Sequence, residues 1–414
     1  MKQAVRSFEK LGFIINKKRS VLIPSQRVQY LGFVFDTTAM TISLPDSKRF
    51  RIKEMLEAAL RRVSMTAHDL AELVGTLVSA SPAVPFGLLY TRQLELEKQL
   101  GLGIGEGYKS IVSLSEEAKL DIMWWRDKVL TAVNPIKVDC YDVVLTSDAS
   151  PTGWGGTMGS RRTGGFWTEA ESSKHINEKE LMGAERVLLT YEKEVTGKKV
   201  LLKMDNTVAI AYLNNLGGCR SPELHRIAKR IFHWAENKLV AISVTYIPSS
   251  ENYEADSESR RKVDESDWQL DPQLFLRVCE DLNFRPEIDI FASELTQQLP
   301  KFVSWYPVPG AFHVDAFTIS WQNLRIYCFP PFNLIPRVLK KLVSEGAEGI
   351  VVVPEWPAQA WYPLYKQLAI SKSVILGPSE YLLSSPLHSR PHPMCKSLKL
   401  TAAILSGKPS EEKG

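Results

Sequence analysis

Two hydrophobic rhythms run along the chain. Near its start, "FIINKKRSVLIP" and "VQYLGFVFDTTAMTISLP" alternate apolar and polar positions as strands do, with "NKKRS" as a polar turn and Pro45 closing the second run. The period then lengthens. "DSKRFRIKEMLEAALRR" and "TAHDLAELVGTLVSAS" carry apolar residues at helical spacing, the second opening on Thr66 as a cap. "GLGIGEGY" is glycine-rich but misses the spacing of a phosphate-binding loop and follows no strand, so it reads as a linker. "SLSEEAKLDIMWWRDKVL" predicts one more helix, with Ser113 and Glu116 spaced as a capping box and Ala118, Ile122, Trp125 and Val129 on one stripe.

From about residue 140 to 262 short strand patterns mix with amphipathic helices. The pattern predicts strands at 143–148, 153–159, 165–168, 199–205 and 240–247. It predicts helices at 178–194, 206–214 and 222–237, and a closing helix near 253. Pro222 after Ser221 marks a helix start. The class is α/β.

Four acidic positions stand out here, and each has a local explanation. Asp148 begins the turn "DASPTG", Glu180 sits three residues after Asn177 as in a capping box, Asp205 precedes the helix "NTVAIAYLNN", and Asp256 is one charge among several in "SSENYEADSESR". Their joint arrangement suggests more. "VVLTSD" and "KVLLKMD" both run apolar strands into a carboxylate, and neighbouring strand ends lie about 5 Å apart. The helix behind Glu180 carries Leu181, Ala184, Val187 and Leu188 on the face that packs over such a sheet. Three carboxylates can therefore converge. Such a cluster is costly unless cations compensate it. Oxygen ligands without His or Cys suit Mg²⁺ or Mn²⁺, and two such ions support phosphodiester hydrolysis.

Length and composition bound the rest. A chain of 414 residues with 44% apolar content supports about three domain-sized units. The five cysteines are odd in number, scattered and without a CxxC pair, so neither a disulfide framework nor a zinc site is expected, and the thiols read as reduced and intracellular, cytoplasmic or nuclear. No apolar run approaches the roughly 20 residues of a membrane span, nor does the N-terminus look like a secretion signal. The net charge of +4 is uneven: residues 1–66 hold 13 Lys/Arg against 5 Asp/Glu. A basic front end suits a polyanionic partner, and a solvated basic face explains it equally well.

Four blocks, "TSDAS", "NEKELMGAE", "LKMDNTVAIAYLN" and "PSSENYEADSESR", resemble in order and spacing the motifs of type 1 ribonuclease H from retroelement polyproteins. The resemblance implies a five-stranded mixed sheet with flanking helices over 140–262. It implies two Mg²⁺ or Mn²⁺ ions, with Asp148 shared, Glu180 and Asp205 completing one site and Asp256 the other. The substrate would be the RNA strand of an RNA–DNA hybrid. Asn206 and Thr207 become candidates to touch the minor groove, where 2′-hydroxyls mark RNA, and Arg226, Lys229 and Arg230 candidates for phosphates. The loop "IPSSENYEAD" lacks the histidine that many relatives carry before the last aspartate, which implies slower proton shuttling or product release.

"LGFIINKKRSVLIPSQRVQYLGFVFD" looks like the end of a reverse-transcriptase palm (1–45), followed by a helical thumb (46–100) and a linker with a connecting helix (101–139). No YxDD occurs, so polymerase activity is not expected, and the chain resembles a fragment of a longer polyprotein beginning inside the palm. "EIDIFASELTQQLPKFVSW" and "YCFPPFNLIPRVLKKLVSEGAEGIVVVPEWPAQAWY" resemble a Dam-like adenine methyltransferase segment (268–385), a second α/β domain, with 386–414 as a tail. This order of domains is similar to retroelements of the DIRS kind. The family's (D/N)PPY motif falls on Phe329, Pro330, Pro331 and Phe332, and Asp289 stands where S-adenosylmethionine would be contacted. Phe329 offers no acceptor for a target amine, which argues against methyl transfer. The competing readings are a nucleic-acid-binding remnant or domesticated protein without catalysis, an integrase-like nuclease acting on duplex DNA, and an adenine methyltransferase.

Overall fold

The computed structural model describes residues 2–16, 20–103, 107–136, 140–261, 268–387 and 390–408. Its internal contacts divide the chain into two units, one of Met1–Cys140 with Asn215–Phe232, the other of Tyr141–Asn214 with His233–Gly414. Among the described residues, no helix is long and apolar enough to cross a membrane.

In the first unit a small antiparallel sheet joins Arg27–Tyr30, Phe33–Asp36, Thr41–Ser43 and Val133–Pro135. Helices Asp46–Arg61, Ala67–Ala80, Arg92–Leu102 and Glu116–Lys128 bury Ile52, Leu56, Leu70, Leu77, Leu94 and Trp125. Thr66 caps its helix as expected, accepting from the Asp69 N–H at 3.1 Å. The stripe Ala118, Ile122, Trp125 and Val129 is fully buried.

Three local expectations are corrected here. "FIINKKRSVLIP" contains no strand among its described residues, and its Ile14 and Ile23 are exposed; residues 17–19 of its expected turn lie outside the described residues. The cap before Glu116 is Ser115 rather than Ser113: its hydroxyl accepts from the Ala118 N–H. Gly101 and Leu102 of the expected linker end a helix, with Gly101 against Val112. The first unit also takes in Asn215–Phe232. Phe232 meets Phe86 there, and Lys229 pairs with the buried Asp121.

The second unit holds two five-stranded sheets. The first comprises β1 (Val143–Ala149), β2 (Gly153–Met158), β3 (Arg161–Phe166), β4 (Lys199–Met204) and β5 (Ala241–Tyr246), in the order β5-β4-β1-β2-β3. β1, β2 and β3 form an antiparallel meander, while β4 and β5 run parallel to β1, so the sheet is mixed as expected. The third strand begins earlier than 165, since Gly159 at φ +59° makes a two-residue turn that pairs Arg161 with Met158. Helices α1 (Ile176–Thr190), α2 (Thr207–Asn214) and α3 (Tyr253–Ser259) flank it. α1 starts two residues earlier than expected, on His175 as cap, and breaks at Tyr191 before the short helix Glu192–Val195.

The glycines of "TGWGG" explain how helices reach both faces of β2. A Cβ at Gly155 would come within 2.3 Å of the Ala255 carbonyl in α3, and one at Gly156 within 2.3 Å of Val187 in α1. Only bare backbone admits both helices at this distance.

The second sheet comprises β6 (Ile288–Asp289), β7 (Arg325–Cys328), β8 (Glu348–Pro354), β9 (Val374–Leu376) and β10 (Leu400–Ser406), ordered β6-β7-β8-β10-β9. β10 is antiparallel to both of its neighbours. It falls in 386–414, the stretch read as a tail, and its buried Leu400, Ala402, Ala403 and Leu405 make it an interior strand. Helices α4 (Pro272–Asp281), α5 (Ile335–Glu345) and α6 (Tyr362–Leu368) pack around this sheet, α4 capped by Asp271.

Candidate functional site

The site is built at the carboxyl ends of β1 and β4. Their parallel register pairs Thr146 with Lys203; two residues further along stand Asp148, within β1, and Asp205, just past the end of β4. Glu180 is the fifth residue of α1, and the fully buried Leu181, Ala184 and Val187 fix that helix on the sheet. One carboxylate oxygen from each of Asp148, Glu180 and Asp205 lies within 4.8 Å of the others.

None of the three does the local job open to it. The turn after β1 is held by Ser150, whose hydroxyl accepts from the Thr152 and Gly153 N–H groups. His175 caps α1, and Asn206 accepts from the Ala209 N–H at 2.9 Å at the start of α2. Asp256 differs: it is partly exposed and paired with Arg260 at 2.6 Å, the i,i+4 pair of an ordinary helix face. It lies outside the group of three, although its charge acts on Asp148.

Burial and like charge set the electrostatics. Burial pushes Glu180 up to about 9, and the charges of Asp148 and Asp205 add to the shift, against a hydrogen bond from the Ala149 backbone. Asp148 rises to about 6 through burial, with Asp205 and Asp256 adding and the Ser259 hydroxyl opposing. Glu180 Oε2 is buried without a hydrogen-bond partner.

Three side chains that the sequence did not single out complete the site. Ser259 donates to Asp148 Oδ2 at 2.5 Å, Ser249 to Asp205 Oδ2 at 2.6 Å, and the buried Asn252 donates to the Ser147 carbonyl at 3.1 Å. The serine-rich block "PSSENYEADSESR" was the available signal, but serines in a polar loop look alike before folding.

The other expected residues are spread more widely. Asn206 donates its side-chain amide to Asn177 at 3.0 Å, beside the carboxylates, and Thr207 opens α2. Arg226, Lys229 and Arg230 fall in the first unit. Arg226 pairs with Glu223, while Lys229 is largely buried and engages Asp121 at 2.6 Å and Glu117 at 3.3 Å.

No known protein family and no curated protein matches the chain in sequence. Solved structures similar to it include the foamy viral protease–reverse transcriptase with double-stranded DNA, at 16% identity over 59% of this chain and 42% of that one, TM-score 0.28. The same viral protein with an RNA/DNA hybrid is similar at 15% identity over 59% and 33% of the two chains, TM-score 0.29. Ribonuclease H1 from Halobacterium salinarum is similar at 18% identity over 28% of this chain and 92% of that one, TM-score 0.23. The chain thus spans less than half the length of the viral proteins.

In the second sheet, Asp289 is fully buried and raised to about 7 by that burial, opposed by hydrogen bonds from the Gln298 and Phe291 backbone. It organises the loop after β6. Phe329, Pro330, Pro331 and Phe332 follow β7 and line a cavity of about 990 Å³ together with Phe291 and Trp305. Asp289 is not among the residues lining it.

The donor set of the first site fits a hard divalent cation. It offers carboxylate oxygens only, one of them orphaned, and the cluster must otherwise hold protons at neutral pH to exist.

Proposed function

We propose that this chain is a metal-dependent nuclease of the ribonuclease H kind that hydrolyses the RNA strand of an RNA–DNA hybrid, in a piece of a retroelement reverse-transcriptase polyprotein. The observation that carries this reading is the convergence of Asp148, Glu180 and Asp205 at the carboxyl ends of two interior strands, each free of the local role its position offered.

Asp148, Glu180 and Asp205 would hold one Mg²⁺ or Mn²⁺, and Asp148 with Asp256 a second. Bound there, the ions would supply Lewis acidity and an ionised water for attack on phosphorus. The chain's own contribution is positional. Two ligands sit at the ends of paired strands and one on a helix locked to the same sheet, which limits positional error. Asp148 and Glu180 form the buried floor, while the half-exposed Asp205 and partly exposed Asp256 form the open side toward which a phosphodiester approaches. Asn206 and Thr207, next in the chain to Asp205, would be the candidates to touch the minor groove. Phe329 supplies no acceptor for a target amine, which argues against methyl transfer, and failure to bind S-adenosylmethionine in calorimetry would remove that alternative.

The test is cleavage of end-labelled RNA–DNA hybrid, duplex DNA and single-stranded RNA with Mg²⁺ or Mn²⁺. Hybrid-selective cutting that disappears in Asp205→Asn is expected. Cutting of duplex DNA would favour the integrase-like alternative, and binding without cutting a catalytically inactive remnant.

A further inference from the structure

The last residue of α3 reaches back into the carboxylate cluster. Ser259 is 1% exposed, and its hydroxyl lies 2.5 Å from Asp148 Oδ2 and 2.9 Å from the Asp256 carbonyl. A hydroxyl has one proton to give, and the charged oxygen is the stronger acceptor. The Ser259 carbonyl in turn accepts from the equally buried Ser150 hydroxyl at 2.6 Å, two residues beyond Asp148 on the same strand end. Asp148, Ser259 and Ser150 therefore close a loop of hydrogen bonds between β1 and α3. The glycines of the sheet hold that loop in place: a Cβ at Gly155 would stand 2.6 Å from the Ser259 nitrogen, and one at Gly153 3.0 Å from its carbonyl oxygen.

We infer that Ser259 is a positioning residue that fixes the Asp148 carboxylate for cation binding, a reading that rests on the metal-dependent function proposed above. The terminal torsion of an aspartate is soft and roughly twofold, so a carboxylate at a strand end can swing. A fixed donor on one oxygen stops that rotation and leaves the carboxylate's remaining acceptor sites for cations. The donor must also be neutral. An arginine or lysine in this place would neutralise Asp148 and compete with the ion, whereas a hydroxyl orients the group and leaves its charge intact. Ser249 makes the same contact to Asp205 at 2.6 Å from an exposed loop, where solvent can replace it.

The experiment is calorimetric titration of Mn²⁺ into the full chain, alongside circular dichroism and hybrid-cleavage kinetics. Ser259→Ala should weaken Mn²⁺ binding roughly tenfold, the usual size for removing a group that orients a metal ligand. The KM for hybrid should stay unchanged, and the fall in kcat at low Mn²⁺ should be recovered at high Mn²⁺. Ser259→Thr, which keeps the hydroxyl, should restore the affinity. If Ser259→Ala does not fold, Ser259→Cys, similar in volume with only a weak S–H donor, carries the same expectation. A folded variant that binds Mn²⁺ as tightly as the parent overturns this inference and leaves the nuclease reading standing. A parent chain that binds no Mn²⁺ overturns both.

Discussion

Replacing the titratable Glu180 by glutamine should stabilise the metal-free protein while destroying its activity. Glu180 sits at about 9 in the folded chain against an ordinary 4.5, held there by burial and by Asp148 and Asp205. Below 4.5 the folded and unfolded states both carry the proton, and the group contributes no difference. As pH rises above 4.5 the unfolded chain ionises while the folded chain does not, so stability is lost by about 1.4 kcal/mol per pH unit until the folded group titrates. Over the three or so units to about pH 7.5 this amounts to about 4 kcal/mol. Glu180→Gln does not titrate and keeps an acceptor for the Ala149 N–H; burying the amide takes back about 1 to 2 kcal/mol. The variant should therefore be about 2 to 3 kcal/mol more stable than the parent in EDTA at about pH 7.5, and equal to or up to about 1 kcal/mol less stable than it at about pH 5. Urea unfolding followed by tryptophan fluorescence, with the fully buried Trp154 of β2 as one reporter, measures the difference. Added Mn²⁺ should raise the parent's stability and leave the variant's almost unchanged. A variant no more stable than the parent at the higher pH would refute the account of Glu180 as a strained, cation-seeking carboxylate.

Three further outcomes follow from the same structure. Gly155→Ala places a Cβ 2.3 Å from the Ala255 carbonyl, so α3 must shift; a loss of about 1 to 3 kcal/mol is expected by chemical denaturation, together with a fall in hybrid cleavage because Asp256 and Ser259 move with the helix. Lys229→Met strands Asp121, whose side chain is 1% exposed and whose pKa burial has raised to about 6 even beside the lysine; about 3 to 5 kcal/mol should be lost, and most of it regained in the double variant with Asp121→Asn. His225 is held down to about 4, mainly by burial and then by the charge of Lys229, with Arg92 and Arg226 adding and Glu117 opposing; neither ring nitrogen has a partner. As pH falls below 6.5 the unfolded chain takes up a proton that the folded chain refuses, so the first unit should lose up to about 3 kcal/mol by about pH 4, and His225→Leu should flatten that slope in a pH series of unfolding curves.

Periodicity alone placed the strands and helices around the candidate site to within a few residues, because each has one face to bury and the spacing of its apolar residues records which. Thr66 and Pro222 were legible for the same local reason: a cap and a first-turn proline act within a few residues of themselves. The run of apolar residues into Asp148 and into Asp205 was equally open to reading, since a carboxylate after a buried strand is unusual wherever that strand ends up. What local pattern could not decide was partnership. Lys229 looked like a free cation on a helix face until folding set it against Asp121, and Leu400–Ser406 looked like part of a tail until the sheet supplied β8 and β9 on either side. Asp256 and Ser259 are three residues apart on one helix, yet one is paired with Arg260 and the other hydrogen-bonds Asp148. Composition and spacing thus determined which residues were available to a site, whereas the distances among Asp148, Glu180 and Asp205 came from strand register and helix packing, long-range contacts whose energy no short window of sequence contains.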